Sequence, residues 1–290
     1  MKYLILAVLG LFLSLAVNAA KLKAGVAKVN ITHPEFSGVV EDSLYVRALV
    51  LDNGTTNAAI ITVDAVAMEG IGSFSDHYLE NIRSKIEEEF QITGKNILVN
   101  ASHLHGAGYE VTPHIEERTL QVVREASRNM VNVRIGVGTG YEDRITENHR
   151  LLLKNGKAWA IRHANPMPPD EEVAGIGPID PEIGILRLDK LNGETLAVVY
   201  NFTGHPYQGV PGTGTTAGFP GFASKIIENN LDEGTIALFI QGFAGDIIPI
   251  LYKDVNSIRD QEPLGNLLGL NILENLKEIE TEKSGELKVI

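Results

Sequence analysis

The chain of 290 residues carries 25 lysines and arginines against 37 aspartates and glutamates, which gives a net charge of −12, and it contains no cysteine. An acidic surface argues against nucleic acid as a partner, because binding to phosphates needs clustered cations. The lack of cysteine excludes disulfides, thiolate metal sites and a cysteine nucleophile. Any metal must therefore be held by histidine, carboxylate or tyrosine.

The N-terminus has the pattern of a secretory signal. Lys2 supplies a positive end, residues 3–17 are mostly apolar, and small residues suited to cleavage follow. The apolar run is short for a membrane span, which needs about 20 residues. We predict that residues 1–20 are removed and that the mature chain, 21–290, is exported to the periplasm or the extracellular space. An uncleaved anchor is the alternative.

The first half of the mature chain alternates between strand and helix patterns. Two β-rich runs are joined by Asn53-Gly54, a strong hairpin signal, and glycines inside a later strand indicate close packing. We predict strands at 24–31, 44–52 and 58–63, a helix at 75–90, a strand at 97–99, a helix at 115–130 and a strand at 133–137.

The second half contains a segment, 164–181, that is rich in proline, glycine and acidic residues and is predicted to be a long surface loop. The elements predicted after it are strands at 183–188 and 196–200, a helix at 220–229, a strand at 235–240, a helix at 264–279 and a strand at 286–290. No closing element follows the last strand, and this pattern indicates a truncated sequence.

Hairpins and helical segments are mixed along the chain, so the sheet is not purely parallel. We predict an α/β (mixed α+β) fold, built in layers from mixed, largely antiparallel sheets flanked by helices. The sequence shows no repeat and no convincing domain boundary, so residues 21–290 are predicted to form one domain.

Two strand-like runs end in histidine and glycine. The first ends at His103 and His105, and the second ends at His205. Residues two apart point to the same face of an extended chain, so His103 and His105 can converge, and His205 can meet them at the sheet edge. Imidazoles gathered in this way form either a metal centre or an acid–base centre.

Two carboxylates, Asp64 and Asp246, also end strands. Either one is a candidate to hydrogen-bond a ligating imidazole and fix its tautomer, and the alternative is a carboxylate that caps a turn. The run 212–218, rich in glycine and threonine, lacks the lysine of a phosphate loop and is interpreted as a flexible substrate loop. The absence of a Gly-x-Ser-x-Gly elbow weighs against a serine hydrolase.

Eight motifs, in the same order, resemble the neutral/alkaline non-lysosomal ceramidase family, including its shorter bacterial relatives. They are 24–33 (AGVAKVNITH), 44–64, 102–108 (SHLHGAG), 148–150 (NHR), 180–188 (DPEIGILRL), 201–206 (NFTGHP), 216–223 (TAGFPGFA) and 241–249 (QGFAGDIIP). Each motif alone is weak, and their shared order across nearly the whole mature chain carries the resemblance.

The resemblance implies that residues 21–290 are a ceramidase-like N-terminal catalytic domain, which hydrolyses the amide of N-acylsphingosine (ceramide) or a related acyl substrate. It implies zinc (Zn²⁺) held by His103 and His205, with His105 and Asp246 as catalytic groups. Zinc would polarise the carbonyl and lower the pKa of its bound water, and His105 beside it would contact the reacting group. The implied substrate-binding residues are His149, Arg150 and Thr216.

As partners, the resemblance implies a small-molecule or lipid amide substrate and transient contact with a membrane surface, without an obligate protein partner. Some positions depart from the family pattern. Ile248 stands where the ceramidases have serine, His149 replaces an arginine, and Gly218 replaces an aspartate. The two remaining zinc ligands of the family, a glutamate and a tyrosine, lie further toward the C-terminus than Ile290.

Two histidines alone make a poor zinc site. This leaves three interpretations, namely an incomplete sequence, local carboxylates as replacement ligands, or a non-catalytic binding protein of the same fold. A metallo-esterase or phosphoester hydrolase is a further alternative.

Overall fold

The structure, a computed structural model, describes residues 22–35, 38–106, 111–161, 167–207, 214–254, 259–283 and 286–290. The predicted signal segment lies outside these ranges, as do the first two residues of the glycine- and threonine-rich run at 212–218 and the beginning of the predicted loop at 164–181.

The first unit of the fold is a three-stranded antiparallel meander followed by a helix, a fourth strand and a second helix. Its elements are β1 (Lys23–Asn30), β2 (Tyr45–Asp52), β3 (Asn57–Val63), α1 (Tyr78–Phe90), β4 (Ile97–Ala101) and α2 (Ile115–Arg128). Strand β4 pairs with β3 in parallel, and this pairing brings the ends of both strands to the same edge.

The second unit begins with a long strand that leads into an insertion of short strands. These elements are β5 (Val131–Tyr141), β6 (Glu147–Asn148), β7 (Arg150–Leu153), β8 (Ala158–Ala160) and β9 (Val173–Ile176). The unit resumes with β10 (Glu182–Lys190), β11 (Thr195–Phe202), α3 (Gly218–Asn230), β12 (Ile236–Gln241), β13 (Ile247–Ile248) and α4 (Gln261–Leu276). Strands β7, β8 and β9 form a small sheet, and β13 pairs with β6.

The main sheet has eight strands in the order β4-β3-β2-β1-β5-β10-β11-β12. Neighbouring strands are antiparallel except in the pairs β3–β4 and β11–β12. The predicted mixed, largely antiparallel sheet is therefore confirmed. The two units share one topology, since each has three antiparallel strands, a helix, a fourth strand parallel to the third, and a second helix. The structure thus contains a repeat that the sequence analysis did not find.

The sheet curves until its two edge strands meet. The side chain of Asn100 on β4 donates to the carbonyl oxygen of Phe239 and accepts from the N–H of Gln241 on β12, each at 3.1 Å. Inward-facing residues of both units, such as Leu49 and Leu238, form one apolar cluster between the facing halves of the sheet. The sheet therefore encloses its own core.

Helices cover the outer faces of both units. Helices α1 and α2 bury residues such as Ile82 and Val122 against the first unit, and α3 and α4 bury residues such as Ile227 and Leu268 against the second. The result is four layers in the order helix, sheet, sheet, helix. This arrangement confirms the predicted layered fold.

The glycines of β5 permit a close approach of the chain that follows α4. A Cβ atom added at Gly136 would lie 2.3 Å from the carbonyl oxygen of Glu280, and one at Gly138 would lie 2.6 Å from the Ile279 side chain. The close packing predicted from these glycines is confirmed.

Several predicted boundaries differ from the structure. Helix α4 begins earlier than the apolar period indicated, because the Asp260 carboxylate caps it by accepting from the N–H of Glu262. The predicted long loop contains β9, a strand too short to show an alternating pattern. The predicted strand at 286–290 is wrong; instead, Glu282 forms an isolated antiparallel bridge with Ile135. Among the described residues, no helix is long and apolar enough to cross a membrane.

Candidate metal centre

His103 lies directly after β4, where the backbone leaves the sheet. Its φ of 58° is in the left-handed region, which is uncommon for a residue with a side chain. The Nδ1 atom lies 2.9 Å from the carbonyl oxygen of Val66, in the loop after the neighbouring strand β3. Donation from Nδ1–H to this carbonyl fixes the tautomer and leaves Nε2 as the free lone pair.

His205 follows β11 in the second unit and is held in a similar way. Its backbone N–H donates to the carbonyl oxygen of Ile247 at 2.9 Å, and its Nδ1 lies 3.2 Å from the carbonyl oxygen of Ala244. His105 joins the two histidine loops, because its N–H donates to the carbonyl oxygen of Pro206 at 3.1 Å. The backbone therefore brings the three imidazoles to one place.

The ring nitrogens of His103, His105 and His205 converge. One ligand atom from each lies within 4.8 Å of the others, and the ring centroids are 4.3–5.0 Å apart. The Nε2 atoms of His105 and His205 are buried without a hydrogen-bond partner in the described part of the chain. A buried polar atom without a partner is costly, so these atoms point to a ligand.

The arrangement fits a metal ion. Nitrogens 4.8 Å apart would each lie about 2.8 Å from the centre of their triangle, and a Zn–N bond is about 2.0–2.1 Å, so shifts of about 0.7 Å bring all three to ligand distance. The resemblance implied only His103 and His205 as ligands. The structure places a ring nitrogen of His105 within 4.8 Å of those of the other two, and three histidines with an open fourth position are a pattern of catalytic zinc sites.

Burial keeps two of these imidazoles uncharged at neutral pH. Desolvation is the largest cause that lowers the pKa of His205 to about 4, and the charges of His103 and His105 act in the same direction. Desolvation also lowers the pKa of His105, with a second contribution from the charge of His103. The neutral form is the one that binds metal, since a protonated imidazole has no free lone pair.

A cavity of about 200 Å³ opens beside the histidines. His105 and His205 line it together with His149, Tyr207 and Gly245, and its remaining lining residues are Ile161, Ile248 and Ile250. The buried His149 lies between β6 and β7, where its N–H donates to the carbonyl oxygen of Asp246 at 2.7 Å. The structure therefore brings His149, a predicted substrate-binding residue, to the same cavity as the histidines.

Asp246 and Arg150 lie near each other at the surface. The Asp246 carboxylate is 3.4 Å from Nε of Arg150 and accepts from the Asn148 side-chain amide at 3.3 Å; the Arg150 side chain is exposed and that of Asp246 is partly exposed. Exposed pairs of this kind contribute little to stability. The catalytic role of Asp246 and the substrate contact of Arg150 stay predictions.

Thr216 is fully buried at the beginning of α3, where its hydroxyl accepts from the N–H of Gly218 at 3.1 Å. It does not line the cavity beside the histidines within the described residues. The hydroxyl thus serves the turn that leads into the helix. Its predicted contact with substrate stays a prediction.

Asp64 has a structural partner. Its carboxylate accepts from the guanidinium of Arg47 at 2.8 Å and from the N–H of Tyr45 at 2.9 Å, and both charged side chains are buried. The carbonyl oxygens of Val66 and Ala244, rather than carboxylates, orient His103 and His205. The sequence analysis left two alternatives for Asp64, a carboxylate that orients an imidazole and one that caps a turn. A backbone carbonyl in the orienting position carries no signal in the sequence.

Sequence reasoning also missed the apolar wall of the cavity and Tyr207. The Tyr207 ring lies 6.0 Å from that of His105 and 6.2 Å from that of His205, centroid to centroid. Its position two residues after His205 could have suggested it. Ile161 gave no such signal, because it is distant in sequence from the histidines and only the fold of the β6–β9 insertion places it beside them.

Comparisons with known proteins identify a structural likeness. No protein-family profile matches the chain, and no curated protein matches it. A crystal structure of neutral ceramidase from Pseudomonas aeruginosa is similar with a TM-score of 0.70 and 15% identity, over 89% of this chain and 45% of that one. A structure of a ceramidase complexed with C2 is similar with a TM-score of 0.68 and 16% identity, over 89% and 44% of the two chains.

The fold is ceramidase-like. At this identity the likeness concerns the fold alone, and the chain spans less than half the length of the ceramidases to which it is similar. The predicted resemblance is supported at the level of the fold. The activity of this chain has to be argued from its own site.

Proposed function

We propose that this chain is the ceramidase-like, metal-binding part of an exported zinc-dependent hydrolase that cleaves the amide bond of an N-acylsphingosine-like or related acyl substrate. One observation carries the proposal. Three imidazoles converge beside an apolar cavity, and two of them have buried Nε2 atoms without a hydrogen-bond partner among the described residues. The ceramidase-like fold supports it, because a neutral ceramidase is among the similar structures.

The histidines have separate roles in the proposal. His103 and His205 hold the metal, since the carbonyl oxygens of Val66 and Ala244 fix their Nδ1–H tautomers and free Nε2 for ligation. A bound zinc ion supplies Lewis acidity and a nucleophile from water near neutral pH. His105 contacts the reacting amide and moves a proton to the leaving nitrogen through its unpartnered Nε2.

Metal content of the purified chain tests the first part of this proposal. Protein prepared without chelator or affinity metal is expected to contain about one zinc per chain, measured by mass spectrometry of the metal. His103→Ala and His205→Ala are expected to lose it. His77→Ala is the control, because His77 is an exposed histidine whose ring lies 3.5 Å from Glu80. No zinc in the parent protein would refute a metal site made by these residues.

Hydrolysis of a substrate panel tests the second part. N-acyl amides, carboxylic esters and phosphoesters are compared, and the amides are expected to react fastest. Faster turnover of esters or phosphoesters would favour the metallo-esterase or phosphoester hydrolase instead. Bound zinc without turnover on any substrate would favour a non-catalytic binding protein.

His105→Ala separates the two possible roles of that histidine. If His105 moves a proton, the variant retains zinc and loses hydrolysis by about 100-fold or more. If the variant loses zinc together with activity, His105 is a third ligand and the proposed division of roles is wrong.

A further inference from the structure

The cavity beside the histidines has a wall of three isoleucines. Ile161 is completely buried, and Ile248 and Ile250 are less than one-tenth exposed. They pack with Leu151 in one apolar cluster, which lies apart from the three larger clusters of the main sheet. Trp159 and other partly buried side chains pack against this cluster. The wall is therefore supported from behind and already formed without a ligand.

The size of the cavity limits what it can hold. An apolar cavity of about 150 Å³ binds benzene, which has six carbons. By the same ratio, the cavity of about 200 Å³ takes about eight carbons. A chain much longer than this would have to leave the cavity or displace the isoleucine wall.

A second, more open groove borders the histidine cluster. His103 lines a wide groove of about 500 Å³, together with Asn100, Gln241 and small residues of the loops after β3 and β12. This groove is shallow, and its lining includes side-chain amides. Its larger volume sets a looser limit on the size of a substituent than the isoleucine-lined cavity does.

We propose that the isoleucine-lined cavity binds one unbranched alkyl chain of about eight carbons or fewer, attached to the bond that reacts at the histidines. The placement of the reacting bond rests on the proposed hydrolase function. The length limit rests on the cavity itself. It makes medium-chain and short-chain amides the substrate class, with the chain on either the carbonyl or the nitrogen of the amide.

Binding of homologous ligands tests the limit without requiring turnover. Two series, straight-chain carboxylates and straight-chain primary amines of 2 to 16 carbons, are titrated calorimetrically into the zinc-loaded protein at about neutral pH. Affinity is expected to rise about fourfold per methylene up to about eight carbons and then to stop rising. The series with this break identifies the side of the amide that enters the cavity.

Two outcomes overturn the proposal. One is affinity that continues to rise through 16 carbons in the series that binds, and the other is that neither series binds. Metal content and hydrolysis of the N-acetyl amide are measured on the same preparation. If affinity stops rising with chain length but the protein has no zinc and no hydrolysis, the cavity assignment stands and the hydrolase is refuted. If the protein hydrolyses the amide but affinity shows no such limit, the hydrolase stands and the cavity assignment is refuted.

Variants of the wall move the limit in opposite directions. Ile250→Ala removes three carbons from the wall and is expected to move the break upward by about three carbons. Ile250→Trp is expected to move it downward. The matched control is Ile185→Ala, an equal truncation in the core beneath α3 and α4, which is expected to leave the break unchanged. An identical break in all three variants would contradict the cavity assignment even if every variant folds.

Discussion

The two units of the curved sheet have the same topology and contribute different things to the site. The first connects its first two strands by a segment that contains no helix or strand within the described residues, whereas the second inserts β6 to β9 at the corresponding point. The eight strands of the main sheet, which we call the frame, supply His103, His105 and His205 from the loops after β4 and β11. The insertion supplies His149 and Ile161, and β13 pairs with it to add Ile248. The clustered histidines and the wall of the cavity thus come from different parts of the chain.

The units also hold their histidines in opposite ways. In the first, His103 follows the fourth strand and bonds a carbonyl oxygen after the third strand. In the second, His205 follows the third strand and bonds a carbonyl oxygen after the fourth strand. In each unit a histidine thus links the two loops that follow the parallel strands, β3 and β4 in the first unit and β11 and β12 in the second. The site lies where these two pairs of loops meet.

The largest expected effect separates the frame from the insertion. His205→Ala should weaken zinc binding by more than about 100-fold. Loss of a hydrogen bond that supports a ligand already lowers metal affinity by about 10–100-fold, and this variant removes the ligand itself. Ile161→Ala should change zinc affinity by less than about threefold, since Ile161 lines only the cavity. Competition titration with a zinc chelator measures both. If both variants lost the same zinc affinity, zinc binding would depend on the insertion as much as on the frame.

The next effect concerns stability of the first unit. Asp64→Ala leaves Arg47 charged and buried without its partner, and should cost about 3–5 kcal/mol in the free energy of unfolding. Replacing both members, with Arg47→Met and Asp64→Leu, should cost much less, because no unpaired charge remains. Urea denaturation followed by circular dichroism measures the difference. A double variant as unstable as the single one would contradict this explanation.

A smaller effect is expected where the second unit packs against the chain after α4. Gly136→Ala forces a Cβ atom against the carbonyl oxygen of Glu280 and should cost about 1–3 kcal/mol. Gly175→Ala, in the insertion, is the matched control, because a Cβ atom there meets nothing within 4 Å. Thermal unfolding of the two variants compares them, and equal melting temperatures would exclude a close contact at β5.

The smallest effect concerns acid stability at the start of the insertion. Burial acts to raise the pKa of Glu142, but hydrogen bonds and charge from Arg144 outweigh it and lower the pKa below its ordinary value. A lowered pKa stabilises the folded state above the ordinary pKa of glutamate, and this contribution is lost as the pH falls. Arg144 is largely exposed, so solvent screens its charge and the contribution is small.

Glu142→Gln should therefore lose slightly less stability than the parent between about pH 6 and about pH 3. Urea midpoints measured across this range compare the two proteins. If the variant lost more stability than the parent as the pH falls, the pKa of Glu142 would not be lowered in the folded state.

Sequence patterns predicted most of the main sheet because its strands and helices are regular. The hairpin at Asn53-Gly54 and the helical spacing of apolar residues in α1 depend on residues close in sequence, so a short stretch of sequence is enough to predict them. The short strands β6 to β9 are absent from the prediction, since two to four residues show no period. The strand predicted at 286–290 is wrong because an alternating segment becomes a strand only where a partner is available.

By itself, the sequence determined the layered mixed fold, the resemblance to ceramidases and the histidines at the ends of strands. Only the tertiary structure decided that His105 joins His103 and His205 in one cluster, that Asp64 pairs with Arg47, and that isoleucines distant in sequence form one wall. The reason is physical. Local patterns specify which face of an element is buried, but distances between loops depend on how the two halves of the sheet curve together.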